Sequence, residues 1–264
     1  MTNLRLTPSA HLPFRDQQSE NGKGAPILLL HGFGGDHQTF LDIQNALAPF
    51  RTSLAFDLPG HGRALDWPKV GNAAVAADAM LRSLEALDLN RVHLVGHSMG
   101  GAVAALAALR APEKIASLTL LAPGGFGREI NHKLLKRYAA ASDPGELEML
   151  LEQFFGWEFE LPINLARITA ESRTVPGAIA TLEAIADEII DGNGQRTLPV
   201  TELATLPMPI KVIWGTQDRV LPTRQAHKLP GLIATHVFDK VGHMPHLEIP
   251  REVVHLICQN AAAE

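Results

Sequence analysis

One cysteine, Cys258, is all the chain contains. No disulfide can form within it, so the cross-linked frameworks of small secreted folds are excluded. Excess charge is missing too. Lys and Arg number 23 against 28 Asp and Glu, a net charge of −5, and no basic cluster supplies the footprint of a nucleic-acid partner. No apolar run approaches the roughly 20 residues that a membrane span needs. Residues 1–18, MTNLRLTPSAHLPFRDQQ, show neither the apolar centre nor the cleavage site of a secretory leader. The expectation is a soluble, cytoplasmic chain whose partner is a small molecule, not nucleic acid or a membrane. Oligomeric state leaves no mark.

What is present is an ordinary globular composition. With 264 residues, 46% of them apolar, the chain can bury a sizeable core as one domain with or without an insertion. Short apolar runs recur: PILLLHG (26–32), SLAFDLPG (53–60), VHLVGHS (92–98), SLTLLAPGG (117–125) and IKVIWGTQD (210–218). Their hydrophobicity is continuous rather than alternating, which predicts strands covered on both faces, as in a parallel sheet. Between them lie helical periods. In AAVAADAMLRSLEALDL (73–89) the spacing sets Val75, Leu81, Leu84 and Leu87 towards one side and Asp78, Arg82 and Glu85 away from it. The alternation implies an α/β fold with a mostly parallel central sheet and helices on both faces. The rhythm breaks between 126 and 199, where helical stretches follow one another with no convincing strand. This predicts a core of 1–125 and 200–264, with a helical cap over 126–199 inserted before the last two strands.

Reacting groups in open α/β sheets collect at the carboxyl ends of the strands. Those ends read His31-Gly32-Phe33-Gly34-Gly35, Asp57-Leu58-Pro59-Gly60-His61-Gly62, Gly96-His97-Ser98-Met99-Gly100, Asp218 and Gly242-His243. Gly-x-Ser-x-Gly between a strand and a helix makes a sharp, strained turn that lifts the serine hydroxyl above the sheet. With 22 glycines in the chain, chance alone supplies such a motif about once in twenty chains of this kind. A serine helix cap would also explain it. Its setting between a strand pattern and a helix pattern favours a nucleophile. Such a serine needs a base, and the base an orienting carboxylate. His243 and Asp218 follow in the order Ser, Asp, His that this architecture uses. Asp218 alone would pass for a turn residue and His243 for a loop histidine. The backbone N–H groups of Phe33 and Met99 are the candidate donors to a developing oxyanion. His31 is expected to anchor its loop, His61 to serve a turn, and His97 to point away from the Ser98 hydroxyl. No metal-ligand spacing and no phosphate loop is found, so neither a metal nor a cofactor is expected.

HGFGG, DLPGHG, GHSMGG, WGTQD and GHMPHLE together resemble the α/β-hydrolase superfamily over residues 24–260. The resemblance implies an α/β-hydrolase fold, a Ser98–Asp218–His243 triad and an oxyanion hole at Phe33 and Met99. Ala64 departs from the usual serine of DLPGHGRA and touches a turn only. HGFGGD, LVGHSMGGAVA and LLAPGGFGREIN are similar to the hydrolase-like domain of acetoin-cleavage-system proteins, labelled dihydrolipoamide acetyltransferases. About two dozen residues precede the first clear strand, so no lipoyl domain is expected, nor is a His-x-x-x-Asp-Gly motif found. A serine at the nucleophile position also argues against haloalkane dehalogenases and epoxide hydrolases. The expected activity is therefore cleavage of a small carboxylic ester or related acyl substrate through an acyl-enzyme. Three alternatives remain: carbon–carbon bond hydrolysis of a vinylogous diketone, acyl transfer, and a non-catalytic ligand receptor on the same fold. For the carbon–carbon reaction Arg167 or Arg173 could take a carboxylate, although a solvated helix face is the ordinary role of either.

Overall fold

The computed structural model describes residues 10–19 and 24–263. Residues 1–9, on which half of the leader reading falls, lie outside the described residues. In chain order the strands are β1 (Phe14–Gln17), β2 (Ile27–Leu30), β3 (Ser53–Phe56), β4 (Val92–His97), β5 (Ile115–Leu121), β6 (Ile190–Asp191), β7 (Gly194–Gln195), β8 (Ile210–Gly215) and β9 (Ala234–Phe238). Seven form one sheet in the order β1-β3-β2-β4-β5-β8-β9. Every pairing in it is parallel except β1 with β3. β1 escapes the sequence pattern because it is a half-exposed edge strand, Phe-Arg-Asp-Gln, with no apolar run to announce it.

The helices are α1 (Leu41–Leu47), α2 (Ala73–Ala86), α3 (Met99–Arg110), α4 (His132–Ala140), α5 (Pro144–Leu151), α6 (Leu165–Arg173), α7 (Ala178–Ile189), α8 (Val200–Leu203), α9 (Pro245–Glu248) and α10 (Pro250–Ala262). Strand alternation divides the core between two layers. Leu28 and Leu30 of β2 pack with α2 and α3, whereas Ile27 and Leu29 join Ile43 and Leu47 of α1 and Val253 and Ile257 of α10. All four β2 residues are fully buried, as a strand covered on both faces requires.

α2 begins where Asn72 Oδ1 accepts the N–H groups of Ala74 and Val75. Its buried residues are Ala76, Ala77, Ala79, Met80, Ser83 and Leu84, with Val75 and Leu81 only part-buried. Periodicity counted on large side chains therefore misplaces the centre of the stripe. α2 packs against α3, which is itself Ala-rich.

Between β5 and β8 the chain leaves the sheet for α4 to α8. The stretch is not wholly helical: β6 and β7 form an antiparallel two-residue ladder. The ladder is too short to leave a period, and its only local mark is the turn Asp191-Gly192-Asn193-Gly194, with Gly192 at φ 62°. Leu134, Leu147, Phe154 and Ile185 of this insertion belong to the same apolar cluster as α2 and α3, so the insertion is packed onto the strand ends.

Candidate active site

The turn between β4 and α3 is built by excluded space. A Cβ at Gly96 would lie 2.3 Å from the Gly100 carbonyl oxygen, and one at Gly100 would lie 2.3 Å from that of Leu30. Only glycine fits either position. Between them Ser98 has φ 51° and ψ −115°, a region that costs a non-glycine residue on the order of 1–3 kcal/mol. Backbone bonds hold the strain: the Ser98 N–H reaches the Leu121 carbonyl at 2.9 Å, and the Ser98 carbonyl accepts the N–H of Gly124 at 2.8 Å. Ser98 occupies the N-cap position of α3, yet its hydroxyl makes no capping bond. The capping explanation for this serine is thereby removed.

The hydroxyl faces an imidazole instead. Ser98 Oγ donates to His243 Nε2 at 2.9 Å, and His243 Nδ1 donates to Asp218 Oδ2 at 2.8 Å. Asp218 serves a turn as well, because its Oδ1 accepts the N–H groups of Val220 and Leu221, each at 2.8 Å. One oxygen fixes the loop after β8 and the other receives the histidine. Asp218 Oδ2 also accepts the indole N–H of Trp214 at 3.0 Å, a partner that no sequence signal indicates beyond a tryptophan four residues upstream. The structure thus brings three expected residues, 120 and 25 positions apart in the chain, into one hydrogen-bonded line.

Phe33 and Met99 line the same cavity as Ser98. Met99 is the first residue of α3, so its N–H is one of the four that no intrahelical carbonyl can satisfy. Gly32, just before Phe33, would place a Cβ 3.2 Å from that of Ser98, which shows how closely the loop after β2 approaches the serine. His31 steadies that loop: its Nδ1 donates to the Gly32 carbonyl at 2.8 Å, and its Nε2 accepts the Leu58 N–H at 2.9 Å. His61 packs against the His31 ring at 5.0 Å, and burial pushes it down to about 3. His97 turns behind the site, where its Nε2 donates to the His243 carbonyl at 2.8 Å.

The Ser98 cavity measures about 290 Å³. Met99, Ala102, Leu106, Leu135, Val220 and Leu221 give it an apolar interior, and the exposed residues Glu188, Arg196 and Thr197 stand at its mouth with Asn72. Neither arginine considered for a carboxylate lines it. Arg167 is exposed and paired with Glu171 on its own helix. Arg173 is buried rather than solvated. Its Nη1 donates to the carbonyls of Tyr138, Ala139 and Ala141, and its charge closes the negative end of α4. It borders a separate cavity of about 280 Å³.

Among the described residues, folding also assembles one group of metal-ligand type that no spacing reveals. Atoms of Asp36, His37 and Asp57 lie within 4.8 Å of one another. The Asp57 oxygens are already taken, Oδ1 by the backbone N–H and Nδ1 of His37, Oδ2 by the N–H and Nε of Arg63. Burial pushes this carboxyl up, but the bonds from His37 and Arg63 outweigh it and hold it below the usual range. The group reads as a polar knot tying the loops after β2 and β3.

The sequence pattern of the Alpha/beta hydrolase family matches residues 27–256. The chain belongs to that family. It is 34% identical over 230 residues to a protein of Pseudomonas putida named as the dihydrolipoyllysine-residue acetyltransferase component of the acetoin cleaving system, covering 87% of this chain and 61% of the relative. The chain therefore spans less than two thirds of that protein. A monoacylglycerol lipase of Xenopus laevis is 27% identical over 256 residues, covering 89% of this chain and 75% of the relative. Among solved structures, a meta-cleavage product hydrolase of Pseudomonas fluorescens IP01 superposes with a TM-score of 0.82 at 21% identity, covering 95% of this chain and 93% of the other. That likeness shows the fold. Among the described residues no helix is long and apolar enough to cross a membrane.

Proposed function

We propose that this member of the family is a serine hydrolase that cleaves carboxylic esters of apolar acyl groups through an acyl-enzyme. The observation that carries the reading is the unbroken line from Ser98 through His243 to Asp218 at an apolar cavity. As the Ser98 oxygen attacks the ester carbonyl, His243 Nε2 accepts its proton. Asp218 keeps the Nδ1 proton in place, which leaves Nε2 free to accept, and its charge stabilises the imidazolium that forms. The N–H groups of Phe33 and Met99 are assigned to the oxyanion. His243 returns the proton to the departing alcohol, and an incoming water then repeats the sequence to release the acid.

The apolar interior suits the acyl chain and the polar mouth suits the alcohol. Carbon–carbon bond hydrolysis is less well supported, since Arg167 and Arg173 do not line the cavity and Arg196, which does, stands exposed at its mouth. The test is a panel of p-nitrophenyl esters of graded acyl length against wild type and Ser98→Ala. The wild type is expected to turn over the panel with a length optimum, and the variant to lose at least about a thousandfold in kcat. Near-normal turnover by the variant removes the mechanism. Turnover of ring-fission diketones but no ester would move the assignment to carbon–carbon cleavage, and transfer to an added thiol in preference to water would move it to an acyltransferase.

A further inference from the structure

His243 stands on a short loop after β9, directly behind Gly242, and four backbone contacts decide where its ring points. Two come from one side chain. Glu248, the last residue of α9, accepts the N–H of Gly242 at both oxygens, at 3.0 and 2.9 Å, and that of Met244 at 3.1 Å. The remaining two are the His243 N–H to the Phe154 carbonyl at 2.7 Å and the His243 carbonyl to His97 at 2.8 Å. Glu248 reaches further. Its Oε2 also accepts the N–H of Gly156 at 2.8 Å, so one carboxylate gathers the residues flanking His243 and the segment of the insertion that bonds His243 itself.

The packing leaves no substitute for this arrangement. A Cβ at Gly242 would lie 2.4 Å from the Phe155 carbonyl carbon, and one at Gly156 would lie 2.1 Å from the Lys240 carbonyl oxygen. Two glycine backbones therefore meet face to face, close enough for their N–H groups to share one acceptor. The same segment is clamped to the other loop of the site: Trp157 N–H donates to Gln217 Oε1 at 2.8 Å, and Arg219 Nη2 to the Phe155 carbonyl at 2.9 Å. Gln217 and Arg219 bracket Asp218. Burial lifts the Glu248 carboxyl above its ordinary value, although its backbone donors and nearby His243 pull against the rise.

We infer that Glu248 is the positioning residue of His243, holding the imidazole in line between Ser98 and Asp218 by fixing the backbone on both sides of it to the insertion. A charged acceptor of several N–H groups is suited to this, because such bonds are about twice as strong as neutral ones. The consequence is large, since a displacement of about 1 Å in a catalytic group can cost a hundredfold in rate. The inference rests on His243 being the base of the proposed reaction.

Glu248→Gln tests it, since this substitution keeps the size, removes the charge and turns one acceptor into a donor that faces the backbone N–H groups. With p-nitrophenyl butyrate as the probe, kcat is expected to fall about ten- to a hundredfold with KM within about twofold of wild type. The low-field proton resonance of His243 Nδ1 should shift or broaden, while the melting temperature drops by only a few degrees. Glu248→Asp keeps the charge but retracts the acceptors, and it should recover part of kcat. If Glu248→Gln does not fold, Glu248→Asp carries the test through the same resonance and kcat. Wild-type kcat with an unmoved resonance in a folded variant would overturn the inference. So would a fall in melting temperature alone, with kcat per titrated active site unchanged. Ser98→Ala separates the levels: if it stays active the proposed reaction fails, whereas an inactive Ser98→Ala beside a normal Glu248→Gln sinks only the role of Glu248.

Discussion

The turn that carries Ser98 and the loop that carries His243 reach one site by opposite means. Around Ser98 the constraint is local and made of backbone: Gly96 and Gly100 lie within two residues of the serine, and both are closed to any side chain. Around His243 the constraint is distant. Its partners are Phe154 and Gly156 from the insertion, His97 from β4 and Glu248 from α9. A strained turn can be written into five consecutive residues, but the aim of a ring on a loop must be supplied by whatever folds against it. Ser98 is held by the strands and the residues directly following them, and His243 by the sheet and the insertion jointly.

That contrast can be broken first at the carboxylate. Asp218→Asn leaves the turn bonds to Val220 and Leu221 possible but faces His243 Nδ1 with a donor, which stabilises the wrong tautomer. A loss on the order of ten-thousandfold in kcat is expected with the fold retained, measured on the same esters. A loss under tenfold would mean that His243 is aimed without Asp218. Gly100→Ala attacks the other region. Its Cβ would overlap the Leu30 and His31 carbonyl oxygens, at 2.3 and 2.4 Å, and these are backbone atoms that cannot swing aside. Destabilisation of about 3 kcal/mol is expected from forced overpacking, read as a lower urea midpoint. A wild-type midpoint would show that the turn has slack.

Acid should act through the buried histidines, His61 beside His31 as well as the two next to His243. Burial, with lesser help from His243, pushes His246 down to about 3, and burial together with His246 and His243 holds His97 far below 6.5. Both rings are neutral in the fold, whereas in the unfolded chain they take up a proton near 6.5. Below 6.5 the unfolded state binds more protons than the native one, so stability falls as pH drops from 6.5 towards 3. The slope is at most about 1.4 kcal/mol per pH unit for each ring. Urea midpoints at pH 7.5, 6 and 5 measure it, and His246→Leu should flatten the curve. A wild-type midpoint that does not move across this range contradicts the assignment. The smallest effect is expected from Trp214→Phe, which removes the indole bond to Asp218 Oδ2. One hydrogen bond of about 1 kcal/mol corresponds to roughly a fivefold loss in kcat, and any larger loss would promote Trp214 from support to necessity.

The same division decides what could be read in advance. The parallel strands and the Gly-x-Ser-x-Gly turn were legible because each follows from residues adjacent in the chain, whereas Asp218 and His243, 120 and 25 positions further on, were marked only by lying at strand ends. The edge strand β1 was not legible, since Phe14–Gln17 pairs on one side only and carries polar residues. The buried stripe of α2 is hard to centre from the pattern because half of it is alanine, Ala76, Ala77 and Ala79, which carries little weight in a hydrophobic period. Arg173 looked like a solvated helix residue until α4 placed three carbonyls around it. The Asp36–His37–Asp57 knot and the Glu248 clamp join segments whose contact exists only after folding. Glu248 did have a faint local sign, lying one turn and a half beyond His243 in GHMPHLE, but nothing in that spacing tells which N–H groups it collects.

The most direct measurement is the covalent labelling of the intact protein by a fluorophosphonate, followed by peptide mass mapping in wild type and His243→Ala. A single adduct on Ser98 in the wild type, lost or slowed by orders of magnitude in the variant, is the expected result. A wild-type protein that takes up no label, or takes it at another residue, would contradict a serine activated by His243.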